Sequence, residues 1–103
     1  SAPDFELVDG TRLGERLRSG QGLLLDFDAH PPLQTLASRW NGRISYVAQD
    51  ARERLGLSAL LVRPDGFVAW AADAEPDVKE TAQAAARWFG EAELPPARAK
   101  GTV

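Results

Sequence analysis

The clearest apolar segment of the chain, "GLLLDF" from Gly22 to Phe27, is continuous, too short for a helix and bounded by Gly and Asp. That pattern predicts a strand buried on both faces. Before it, Leu13 and Leu17 lie one helical turn apart and Gly20 follows, so Thr11 to Arg18 reads as a short helix. After it, "HPPLQTLASRWNG" offers Pro31 and Pro32 as a helix start, with Leu33, Leu36, Ala37 and Trp40 at helical spacing and Asn41-Gly42 as the stop. "RISYVAQ" reads as a second strand, and "DARERLG" as a brief helix from a capping Asp50 to Gly56.

Two further apolar runs, Leu57 to Arg63 and Phe67 to Ala71, flank Pro64-Asp65-Gly66 and predict an antiparallel hairpin. Arg63 reads as a solvated charge at the strand end. The longest helix is predicted in "EPDVKETAQAAARWFG", capped by Asp77 with Glu80 placed as in a capping box. Its stripe is Val78, Ala82, Ala85 and Phe89, and Gly90 ends it. Residues 1–90 thus form one domain, and "EAELPPARAKGTV", residues 91–103, reads as a flexible tail. Helices alternating with strands, closed by a hairpin, give an α/β fold with a central mixed sheet and flanking helices, in the order of a thioredoxin-like fold.

Composition narrows the chemistry. At 103 residues and 44% hydrophobic the chain supports one modest core. A net charge of -3 with scattered basic residues argues against nucleic acid or membrane partners, and no apolar run spans a bilayer, so a cytoplasmic location is expected. The absence of Cys removes disulfides, thiolate nucleophiles and zinc-thiolate sites. The absence of Met means that an initiator was removed or that the chain belongs to something longer.

"VDGTRLGERLRSGQGLLLDF", followed by "ISYVAQDARERLGLSALLVRPDGFVAWAA", resembles the C-terminal domain of class A FAD-dependent aromatic hydroxylases of the phenol and polyketide branch. "DGTRL" and "LLVRPDGFVAW" are the most specific parts. The resemblance implies a thioredoxin-like domain that follows FAD-binding and substrate domains and has structural or subunit-contact roles. The parent would bind FAD, use NAD(P)H and O2, and hydroxylate an aromatic or polyketide substrate. Its partners would be those upstream domains or a second subunit.

"DAHPPLQ", Asp28 to Gln34, stands where a thioredoxin carries Cys-x-x-Cys, and Ser58 where it carries the proline that shapes substrate binding. No Gly-x-Gly-x-x-Gly unit is present, so the dinucleotide site would lie upstream. This reading assigns no catalytic, cofactor-binding or metal residue to the chain itself. Three features bear on that assignment. His30, the only histidine, reads as a solvent-facing loop residue rather than a proton shuttle. Asp26 and Asp28, on one side of a strand, suggest a paired acid-base or metal site, or simply the strand end at the sheet rim. Trp40 and Trp70 read as packing residues, whereas Trp88, one residue off the helical stripe, should project as a contact residue. The competing function is a free-standing thioredoxin-like binding protein without redox activity, recognising a partner through the loop around His30.

Overall fold

Leu23, Leu24 and Leu25 are all buried because β1 (Gly22–Asp26) runs through the interior of the sheet. A computed structural model describes residues 1–93. β2 (Ile44–Val47) pairs parallel to β1 with Leu24 opposite Tyr46, and β3 (Ala59–Val62) pairs antiparallel on its other side with Leu25 opposite Leu60. β4 (Val68–Ala72) lies antiparallel to β3, so the sheet order is β2-β1-β3-β4.

Strand alternation sorts the core into two layers. Leu23, Leu25, Val47, Leu60 and Val62 meet Phe5, Leu7 and Leu13 from the N-terminal segment and α1 (Leu13–Arg16). On the opposite face Leu24, Ile44, Ala59 and Leu61 meet Leu33, Leu36 and Ala37 of α2 (Pro31–Ser38) and Ala85 of α3 (Val78–Phe89). α1 continues into a 3-10 turn through Ser19, ended by Gly20 at φ 82.

Local chemistry accounts for the helix ends. Asp77 caps α3 by accepting from the backbone N–H groups of Lys79 and Glu80. The buried Trp40 donates its indole N–H to the Gly90 carbonyl at 2.8 Å, which ties the chain after α2 to the end of α3. The hairpin is as expected: Arg63 N–H donates to the Phe67 carbonyl, and Gly66 has φ 90. A register shift between Leu61 and Val62 adds a bulge to β4, which twists an otherwise open edge.

The structure corrects two expectations. Asp50 to Gly56 is not a helix. Leu7 pairs with Ala51 in an isolated bridge that draws Ala51 into the core, and Leu55 and Gly56 turn the chain through left-handed conformations. Ala82, Ala85 and Phe89 of the expected α3 stripe pack on the helical layer, but Val78 is exposed and Thr81 is buried instead, its hydroxyl satisfied on the Asp77 carbonyl. At the start of the segment expected as a tail, Ala92 packs on the helical layer and Glu93 N–H donates to the Arg39 carbonyl. Residues 94–103 lie outside the described residues.

Candidate functional site

β1 ends on a fully buried carboxylate. Asp26 shares the sheet face of Leu24, and the parallel register brings Tyr46 to that face from β2. Asp26 Oδ2 accepts from the Tyr46 hydroxyl at 2.6 Å and from the His30 backbone N–H at 2.5 Å. His30 Nδ1 lies 2.5 Å from Asp26 Oδ1. Ala29, at φ 56, turns the chain so that His30 doubles back onto the strand end and becomes the N-cap of α2. His30 is therefore half-buried and held by a carboxylate, not facing solvent. Burial, and donation to Asp26, push the Tyr46 phenol above the usual tyrosine range.

Asp28 does not join Asp26 in a paired site. The strand stops at Asp26, so its alternation does not extend to Asp28, which pairs with Arg54 at 2.7 Å. Arg54 also bonds Asp50 at 2.6 Å, and its hydrogen bonds hold both carboxyls below the usual range. Among the described residues there is no group of three or more His, Cys, Asp or Glu placed to hold a metal ion. A cleft of about 340 Å³ lies beside this cluster, bounded by His30, Arg54, Ser58, Asp73 and Glu75. The Ser58 hydroxyl faces the carbonyls of Ala72 and Ala74, so it anchors the end of β4.

The N-terminus of α2 does not fit the pyrophosphate of a flavin or nicotinamide dinucleotide. In an open α/β sheet the pyrophosphate sits on the free N–H groups of the helix after a parallel strand. Here that helix, α2, begins with Pro31 and Pro32, which carry no N–H, and the His30 N–H is taken by Asp26.

The tryptophans divide as their patterns suggest. Trp40 is in the core and Trp70 is half-buried against the same layer. Trp88 is 44% exposed. Arg63 is not a free charge: its guanidinium lies 4.5 Å from the Trp88 ring centre and 5.5 Å from that of Phe67, and it bonds Asp65. Sequence reasoning missed Tyr46, Arg54 and the Arg63 stack, since each depends on a partner distant in the chain or in another element.

The family profile for the C-terminal domain of aromatic-ring hydroxylases matches residues 1–92, and the chain belongs to that family. It is 37% identical over 89 residues to a protein of Claviceps purpurea (strain 20.1) named as a monooxygenase, covering 86% of this chain and 18% of that protein. It is 38% identical over 95 residues to a dialkyldecalin synthase of Streptomyces rugosporus, covering 87% of this chain and 18% of the synthase. Among solved structures, OxyS anhydrotetracycline hydroxylase from Streptomyces rimosus superposes with a TM-score of 0.78 at 36% identity, covering 93% of this chain and 20% of the hydroxylase. The chain thus spans about a fifth of the length of the relatives it matches. No helix among the described residues is long and apolar enough to cross a membrane.

Proposed function

We propose that this chain is the redox-inactive scaffold domain of a longer, FAD-dependent monooxygenase that hydroxylates an aromatic or polyketide substrate with NAD(P)H and O2. One observation carries the reading: nearly the whole chain matches a hydroxylase C-terminal domain, yet it spans only a fifth of its relatives. The sheet order β2-β1-β3-β4, with α2 and α3 on one face, is a thioredoxin-like arrangement in which Asp28 to Gln34 replaces the thiol motif. The Asp26, His30 and Tyr46 cluster closes the end of the central strand and leaves the chemistry to the preceding domains. Likeness to a synthase as well as to monooxygenases accords with a domain that does not set the reaction.

The test removes residues 1–103 from the longer polypeptide. Retained flavin content and NAD(P)H-dependent flavin reduction, with a lower melting temperature or altered subunit assembly, is the expected result. Lost flavin reduction in a folded protein of unchanged assembly would make the domain part of the active site.

A further inference from the structure

Phe67, Val68 and Trp88 are exposed large apolar side chains gathered on one side of the molecule. Arg63 bridges Phe67 to Trp88, and Val68 and Trp88 line a common cleft of about 490 Å³ with Ala84, Glu80 and Arg87. We propose that this face docks against the preceding part of the same polypeptide, which seats an apolar side chain between Val68 and Trp88 and places a carboxylate on Arg87. The proposal rests on the longer polypeptide read above.

Two observations choose that occupant. Ala2 N–H donates to the Gly66 carbonyl at 2.7 Å, so the chain enters the domain one residue from Phe67. Any segment before Ser1 therefore leaves from the hairpin turn that adjoins Phe67 and Val68, next to this face, with little linker needed to reach it. Charge supplies the second. Arg63 is neutralised by Asp65, whereas Arg87 stacks 5.2 Å from the Trp88 ring centre and has no carboxylate partner among the described residues. A cation on the rim of the cleft that it shares with Val68, Ala84 and Trp88 favours an anion on whatever covers it. The face is also preorganised: guanidinium groups from Arg63 and Arg87 both lie against the Trp88 ring, so docking orders little that is not already ordered. Tryptophan and arginine are the residues most enriched where interface energy concentrates.

The experiment uses the full-length gene product with Phe67 replaced by the photo-crosslinker p-benzoylphenylalanine. A control probe replaces Gln34, an exposed residue beside β2 at the opposite sheet edge. Peptide mapping is expected to show an intramolecular link from position 67 to residues upstream of Ser1 and none from position 34. Adding Arg87→Glu should lower that yield by about ten-fold, the effect of one lost charged contact; an unchanged yield removes the carboxylate from the proposal. A native product no longer than this chain removes the premise and the proposed function together. A longer product whose position 67 links only to a second copy, or to nothing, overturns the docking face while leaving the proposed function standing.

Discussion

The Tyr46 hydroxyl donates to the Asp26 carboxylate across 2.6 Å, joining the β2 edge strand to the buried end of β1. Tyr46 is also the chain's only tyrosine, so its ionisation can be read without interference. In the unfolded chain it titrates near its ordinary value of 10.0, whereas burial and the bond to Asp26 raise it in the fold. The folded state then holds the proton more tightly, so this contribution is complete below pH 10 and is lost as pH rises above it. Phenolate absorbance should stay absent above the ordinary tyrosine range until the protein unfolds. Tyr46→Phe should weaken the fall in denaturation midpoint with alkaline pH; the same alkaline slope in both proteins would remove Tyr46 from the account.

Asp26→Asn should be more damaging than Tyr46→Phe. The amide presents an N–H₂ group to a pocket built of donors, so at least one of the His30 or Tyr46 contacts is broken inside the core. A loss of about 3 kcal/mol is expected for Asp26→Asn and about 1 kcal/mol for Tyr46→Phe. Urea unfolding of both single variants and the double variant measures this, and a non-additive double loss marks the shared network.

Gly22 is a packing requirement. A Cβ at this position would lie 2.2 Å from the Phe89 ring, so the first residue of β1 must be bare where α3 crosses it. Gly22→Ala should destabilise by about 2 kcal/mol through overpacking. Phe89→Leu, mild on its own, should recover part of the Gly22→Ala loss in the double variant. A Gly22→Ala protein as stable as the parent would mean that Phe89 is not seated there.

At the hairpin, Gly66→Val forces a β-branched residue to φ 90 and should cost about 2–3 kcal/mol. Arg63→Ala removes the stack on Trp88 and Phe67, for about 1 kcal/mol. Guanidinium unfolding midpoints should rank wild type above Arg63→Ala, and Arg63→Ala above Gly66→Val.

A chain with no cysteine has no thiol for disulfide exchange. No turnover is expected in an insulin-reduction assay, and measurable reduction would demand another redox group.

Much of this architecture is legible in local pattern. The continuous run Leu23 to Leu25 announces an interior strand, Pro64-Asp65-Gly66 a hairpin, and Asp77 a helix start, because burial on two faces, turn geometry and capping each depend on residues adjacent in the chain. The "DGTRL" and "LLVRPDGFVAW" segments likewise carried the family resemblance. Asp50 to Gly56 misled for a related reason: its local helix signals were outweighed by the bridge between Leu7 and Ala51, a contact that no window around Asp50 contains.

What only the tertiary structure decided is which polar and aromatic groups share a space. His30 reads as a loop histidine until Ala29 turns it onto Asp26, and Tyr46 joins them only through the parallel register that places it opposite Leu24. Arg63 reads as a strand-end charge until α3 lays Trp88 against it. Helix, strand and turn follow from backbone geometry and the period of burial, which neighbouring residues set. A buried hydrogen-bond cluster or a cation stacked on a ring follows from how separate elements pack, which is settled only when the whole core closes.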